Sequence, residues 1–256
     1  ATILTALGMR PLPLPCDASP RFQPTVPMLE TLDPRPAGLV LASPCNPAGT
    51  MLPPDEFIAI ARWCETEGVR LVSDEIYHGL TYGEVPEVCA AAVSGSAVVV
   101  NSFSKYWSMT GWRIGWMLLP EDLLRPVECL AQNLFISAPH VAQVAAEAAM
   151  DCGSELEANR ARYRRNRDLL LRELPRAGLD RLSPADGAFY LWADVGHLTN
   201  DSVSFCARML AETGVAATPG VDFDRDRGYR FLRLSYCGPE AHMAEGAERL
   251  RRWLAP

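Results

Sequence analysis

The 256-residue chain has no run approaching the ~20 uninterrupted apolar residues that a membrane-spanning helix needs. Its first residues lack the basic and apolar stretches of a secretory leader. Positive charge is in deficit: 24 basic against 31 acidic residues leave a formal net charge of -7 and a pI near 5.2, a balance that repels a phosphate backbone. The one basic cluster, Arg160-Ala-Arg162-Tyr-Arg164-Arg165-Asn-Arg167, is interrupted by acids on both sides, so no nucleic acid and no membrane is expected as a partner. The eight cysteines, from Cys16 to Cys237, form no CxxC pair and read as free, reduced thiols. The four histidines, His78, His140, His197 and His242, are equally scattered, which leaves no zinc-type ligand spacing and no metal site. There is no internal repeat and no low-complexity tract. A cytoplasmic globular protein is expected, with 48% hydrophobic residues to build one large domain or two modest ones.

What is present is an alternation of buried strands and helices. Gly38-Leu-Val-Leu-Ala42 reads as a short strand, followed by the turn-rich Ser43-Pro-Cys-Asn-Pro-Ala-Gly49. A helix is predicted from Pro53-Pro54-Asp-Glu, with proline and acids at its positive end, through an apolar stripe from Phe57 to Cys64, to a stop at Gly68. Val69-Arg-Leu-Val-Ser73 and Ala97-Val-Val-Val-Asn101 are the next two strands. This order predicts an α/β fold with a mostly parallel sheet flanked by helices. The stretch Trp112 to Leu119 follows after too short a loop for a crossover helix, so it should pair antiparallel. Beyond a long arginine-rich helix, Glu155 to Leu174, come a strand at Gly187 to Ala193, a helix from Ser202 to about Thr213, and alternating strand character from Tyr229 to Ser235. These predict a smaller C-terminal α+β domain over residues 156–256, after a large domain over 1–155.

Three polar groups fall into register in the first part. Asn46, Asp74 and Lys105 each follow a strand end and are spaced by 28 and 31 residues, close to the ~30 residues of one βαβ unit. Strand ends of a parallel sheet lie along one edge, so these side chains can converge on one ligand. Lys105 stands at the end of a β-branched run, in Asn101-Ser-Phe-Ser-Lys105, with Ser102, Ser104 and Arg113 close in sequence. An amine, hydroxyls and a guanidinium suit a cofactor carrying an aldehyde and a phosphate.

Together these segments resemble the pyridoxal-phosphate-dependent aminotransferases of class I/II, fold type I. The matching strings are Ser-Pro-Cys-Asn46-Pro-Ala-Gly49, Val-Ser-Asp74-Glu-Ile-Tyr77, Ser102-Phe-Ser-Lys105 with Gly111-Trp-Arg113-Ile-Gly115, and Phe231-Leu-Arg233-Leu-Ser235. The resemblance implies ping-pong transfer of an amino group from an L-amino acid to a 2-oxo acid, through a Schiff base of pyridoxal 5′-phosphate on Lys105, which also shuttles the Cα proton. It places Asp74 at the pyridine nitrogen, Tyr77 at the cofactor's O3′, and Asn46 at that oxygen and the substrate carboxylate. It assigns Ser102, Ser104 and Arg113 to the phosphate, and Arg233 to the substrate α-carboxylate, with β-alternation setting Arg233 opposite Leu232 and Leu234. The Asn46-Pro47 bond is expected to be cis. His78 and Tyr82 adjoin these motifs without an assigned role.

The resemblance also implies a homodimer, with Phe135-Ile-Ser-Ala-Pro-His140 similar to a loop that approaches the partner's phosphate site. The opening Ala1-Thr-Ile-Leu-Thr-Ala-Leu-Gly8 resembles a helix that normally lies well inside the large domain, so the first third of a family member is expected to be absent. Two other readings share these residues: a C-S β-lyase on the same scaffold, and a non-catalytic, aminotransferase-like sensing domain of a regulator.

Overall fold

The computed structural model describes residues 2–19 and 21–255. Two short helices, α1 (Thr2–Ala6) and α2 (Val26–Glu30), precede the first sheet. That sheet is built from β1 (Gly38–Ala42), β2 (Arg70–Asp74), β3 (Val98–Ser102) and β4 (Gly115–Leu118), in the spatial order β1-β2-β3-β4. Its first three strands are parallel, with Leu39 opposite Leu71 and Asp74 opposite Val100. The last pair is antiparallel, as the short loop requires. Glycine at 115 has a steric reason: a Cβ there would stand 2.6 Å from the Asn101 carbonyl oxygen.

Helix α3 (Pro54–Thr66) crosses between β1 and β2. It has proline in its first turn beside Asp55 and Glu56, which face the positive end of its dipole. Gly68, at φ +67°, lets the chain leave in the left-handed conformation. Phe57, Ile60 and Trp63 of this helix pack with Leu41, Leu71 and Val99 on one face of the sheet. The opposite face is more open: Val40 is 63% and Met117 47% exposed. Helices α4 (Glu121–Leu134) and α5 (His140–Ala149) follow β4.

The second sheet contains β5 (Tyr190–Asp194), β6 (Thr218–Pro219) and β7 (Phe231–Ser235), all antiparallel in the order β5-β7-β6. It is covered by α6 (Gly153–Arg176), α7 (Ser202–Thr213) and α8 (Glu240–Trp253). Leu170, Leu174, Leu191, Met209, Leu232 and Leu250 form its core. Asp201 caps α7 by accepting from the Val203 and Ser204 N–H groups at 3.1 Å each. The same core takes in Tyr77, Leu80 and Tyr82 from the loop after β2, so the two sheets are joined by continuous packing.

The fold class is the one the alternation predicts. Three strands start two or three residues later than their sequence pattern, the one expected from Trp112 beginning at Gly115 after a 3₁₀ turn at Thr110–Trp112. The strand expected from Gly187 begins at Tyr190, because Ala185 and Ala188 are left-handed (φ 51° and 58°) and the intervening chain turns. The strand expected from Tyr229 begins at Phe231, after a single 3₁₀ turn at Gly228–Arg230. Among the described residues no helix is long and apolar enough to cross a membrane, and no cluster of histidine, cysteine or carboxylate side chains suits a metal ion. All eight cysteines are free thiols.

Candidate active site

The loop after β1 meets the middle of β7, and the segments after β2 and β3 meet Phe189 and Tyr190 at the start of β5. Asp74 is the last residue of β2. Its carboxylate accepts the Ile76 N–H at 3.2 Å, closing a local turn, and caps no helix. Burial pushes its carboxyl above the usual carboxylate range and Glu75 adds to this, while the Ile76 N–H and His78 pull the other way. A cation placed against Asp74 would therefore be strongly favoured.

Tyr77 is 4% exposed. Its hydroxyl lies 3.0 Å from that of Tyr190 on β5, and its ring meets Phe189 and Tyr190 edge-on, with centroids 5.6 and 5.8 Å away. Burial first, and the bond to Tyr190 second, raise its pKa well above the ordinary phenol value, so it acts as a neutral hydroxyl. Lys105 is half-buried, with Nζ 5.9 Å from the Tyr77 ring centroid and 5.8 Å from that of Phe189. Among the described residues it makes no ion pair. It is also the only lysine in the chain: of the 24 basic residues, 23 are arginine.

Asn46 lies in the loop after β1, between cis bonds at Ser43-Pro44 and Asn46-Pro47. That loop approaches β5 closely: Gly49 has φ +67°, and a Cβ on it would stand 2.9 Å from the Tyr190 carbonyl oxygen. Asn46 Oδ1 accepts from Arg233 Nη1 at 2.8 Å. Arg233 also donates to Thr218 Oγ1 on β6 at 3.2 Å. Its guanidinium carbon lies 4.3 Å from the Tyr190 ring centroid and 4.6 Å from that of Phe223. Arg233 Nε is buried and has no hydrogen-bond partner. A clamped guanidinium with an unfilled N–H and no carboxylate beside it has the donor set of an acceptor for a small carboxylic acid.

The residues after β3 form a compact polar network. Ser102 Oγ accepts the Ser104 N–H at 3.0 Å, and its one hydrogen has two acceptors in reach, Ser104 Oγ at 2.9 Å and the Ile114 carbonyl at 3.0 Å. The Ser104 hydroxyl hydrogen is left to donate elsewhere. Thr110 donates to the Ser104 carbonyl at 2.6 Å, and the exposed Arg113 donates to the Thr110 carbonyl at 2.8 Å. Arg113, at φ 54°, is thereby tied to the same turn.

Asn46 bonds to Arg233, Arg233 and Tyr77 both meet Tyr190, Lys105 lies over the Tyr77 ring, Asp74 bonds within the turn before Tyr77, and Ser102, Ser104 and Arg113 form their own network beside Lys105. Sequence reasoning missed Phe189, Tyr190, Thr218 and Phe223, which hold Lys105, Tyr77 and Arg233 in place. The uniqueness of Lys105 was a composition signal for the nucleophile, but no motif marks the aromatic clamp.

The strand ends of a mostly parallel sheet thus carry a lysine, a carboxylate and an asparagine, and a second, antiparallel sheet carries an arginine bonded to that asparagine. The model of the family "aminotransferase class I and II" matches residues 1–250, and the chain belongs to that family. Its cofactor is pyridoxal 5′-phosphate. A valine–pyruvate aminotransferase of Mycobacterium tuberculosis is 51% identical over 255 residues, covering 98% of this chain and 66% of that protein. An aspartate/prephenate aminotransferase of Thermus thermophilus is 35% identical over 230 residues, covering 87% of this chain and 58% of that protein. The crystal structure of an aminotransferase from Mycobacterium tuberculosis superposes with a TM-score of 0.96 at 51% identity, over 98% of this chain and 66% of the other. A variant of Thermus thermophilus aspartate aminotransferase gives 0.89 at 32% identity, over 98% and 69%. The chain therefore spans about two thirds or less of the length of these curated relatives.

Proposed function

We propose that this chain carries the catalytic residues for pyridoxal-phosphate-dependent transfer of an amino group from an L-amino acid to a 2-oxo acid. The observation that carries this reading is the pairing of an unpaired lysine over two aromatic rings with an arginine whose buried Nε has no partner. When bound, pyridoxal phosphate supplies an electrophilic aldehyde and a ring that draws electrons away from the amino acid's Cα. Lys105 would hold the cofactor through its amine and would move the proton at the amino acid's Cα. Asp74 would hold the cofactor's pyridine nitrogen, whose positive charge would offset the burial of the carboxylate. Tyr77 and the free amide hydrogens of Asn46 donate toward the cofactor's phenolic oxygen.

The Ser104 hydroxyl and Arg113 take the phosphate, with Ser102 orienting Ser104. Arg233, close to the Tyr190 and Phe223 rings, would grip the α-carboxylate and so orient the amino acid. The substrate side chain is neutral in this reading: near the Phe223–Phe231 segment Arg21, Arg227 and Arg230 are already paired with Asp186, Asp17 and Asp224, and Asp194, and Arg225 is exposed to solvent. The valine–pyruvate activity named for the 51% identical relative agrees with that choice.

A large domain over 1–155 and a small domain over 156–256 belong to this reading, supported by the separation of the strands into two sheets. A cytoplasmic homodimer completes the reading. Its support is the apolar run at the end of α4, where Leu134, Phe135 and Ile136 are 76%, 62% and 81% exposed. Sedimentation that shows only monomer would count against it.

The test is incubation of the chain with pyridoxal phosphate, valine and pyruvate. Alanine and the 2-oxo acid of valine are the expected products. Ammonia without alanine would overturn transfer in favour of elimination. Borohydride reduction should attach the cofactor to Lys105, readable by peptide mass because no other lysine competes.

A further inference from the structure

His78 is a buried titratable group that the proposed chemistry does not use. Its side chain is 15% exposed, and it follows Tyr77 directly. Its Nε2 lies 3.1 Å from the Ser43 carbonyl oxygen, at the end of β1. Its Nδ1 lies 3.4 Å from Glu75 Oε2, at the end of β2. A carbonyl oxygen can only accept, so Nε2 is the ring nitrogen that carries hydrogen toward Ser43. The Glu75 carboxylate also accepts, and the bridge is complete when Nδ1 carries hydrogen too.

Glu75 is itself almost fully buried, at 2% exposure, and its other oxygen takes the Ala90 N–H at 2.8 Å. A buried carboxylate needs such partners. The charged groups around the ring are Asp74 and Glu75 from its own segment and Glu87, whose carboxylate takes the Gly79 N–H at 2.7 Å; the Cys89 thiol shares Glu75. No lysine or arginine bonds to this group of acids among the described residues, which leaves the His78 ring as the side chain that faces them.

Ser43 precedes Asn46 by three residues, and Glu75 lies between Asp74 and Tyr77. No backbone bond joins the Ser43–Asn46 loop to the Asp74–Tyr77 segment; the pairing of β1 with β2 ends at Ala42 opposite Asp74. We infer that His78 is a positioning residue, the tie that sets the distance between Asn46 and the Asp74–Tyr77 pair by bridging Ser43 and Glu75. The inference deepens the cofactor-site reading and rests on it only for the consequence on cofactor binding.

Two measurements test it. The first needs no cofactor: long-range nitrogen–proton correlation of the four histidines, with His78 assigned by its loss in His78→Gln. Hydrogen on Nε2 of His78 is expected. A ring protonated on Nδ1 alone would overturn the tie.

The second is pyridoxal phosphate binding, followed by absorbance, in His78→Phe, His78→Gln, Asp74→Asn and the His78→Phe/Asp74→Asn double variant. His78→Phe should weaken binding about tenfold, as expected when a hydrogen bond involving a charged group is lost. Gln keeps a donor for Ser43 and should recover about half of that loss on a logarithmic scale. In the Asp74→Asn background the His78→Phe effect should shrink severalfold, because the two residues then no longer act on the same contact. Equal effects in both backgrounds would mark His78 as merely structural and overturn the proposal. If the unaltered chain binds no pyridoxal phosphate, the cofactor-site reading fails, while the histidine spectrum still decides the tie.

Discussion

In the parallel sheet, polar groups stand where strands stop: Asn46, Asp74 and Lys105 leave β1, β2 and β3 on the same edge, and each is held by turns, a cis proline bond or a serine network. In the antiparallel sheet, Arg233 stands in the middle of β7, itself the central strand, with Leu232 and Leu234 fully or nearly buried on the other face. The first arrangement gathers different chemistries at one place because parallel strands share a direction. The second gives one group a rigid platform, since moving Arg233 would move a paired strand and its core. Under the proposed function, cofactor chemistry would fall to the strand-end loops and substrate orientation to a paired strand.

The largest effect should come from the strand-end side of this contrast. Lys105→Ala is expected to lower the rate of alanine formation by at least about 10⁴-fold, as loss of a nucleophile and general base does, and to abolish borohydride-dependent attachment of the cofactor. Unchanged attachment would remove Lys105 from the site. On the strand side, Arg233→Lys is expected to raise KM for both the amino acid and the oxo acid about 100-fold, since an ammonium cannot match a carboxylate edge in two bonds. A kcat change with unchanged KM would show that Arg233 does not bind substrate.

The rigidity of the platform can be probed apart from chemistry. Leu191 is fully buried on β5, next to Leu234 of β7, and Leu191→Ala should cost about 2–5 kcal/mol in urea unfolding. An equal truncation at Val40, 63% exposed on the open face of the parallel sheet, should fall within about 0.5 kcal/mol. Comparable losses would contradict the difference in covering between the two sheets.

The smallest effect concerns acid. Burial raises the pKa of Asp194, but hydrogen bonds from Arg230 and the Gly196 N–H, with the arginine charges, outweigh it and hold the carboxyl below the usual range. The unfolded chain therefore takes up this proton first as pH falls. The stability due to the pair is complete at neutral pH and is lost as pH drops below about 4, toward the lower folded value. Asp194→Asn should flatten that part of the unfolding curve against pH. An unchanged acid limb would show that the exposed half of the Asp194–Arg230 pair is fully screened.

Much of this site was legible in the chain itself. The β-branched runs before Asp74 and Lys105, and the near-equal spacing of Asn46, Asp74 and Lys105, led to parallel strands with polar ends. The alternation Leu232-Arg233-Leu234 determined which face the arginine takes, because side chains on a strand alternate strictly. What lies across the pocket was not legible. Tyr190 and Phe223, which flank Arg233, are separated from it by 43 and 10 residues, and an aromatic residue in a strand or turn reads as ordinary core. Nor could sequence show that His78 turns toward Ser43, 35 residues away, instead of toward solvent.

The distinction has a physical reason. Local pattern, chain direction and spacing determined which side chains reach the edge of the sheet, since each depends on neighbours along the backbone. The partners of those side chains depend on how two sheets pack, and only the tertiary structure decided that Arg233 would meet Asn46 and leave its Nε free.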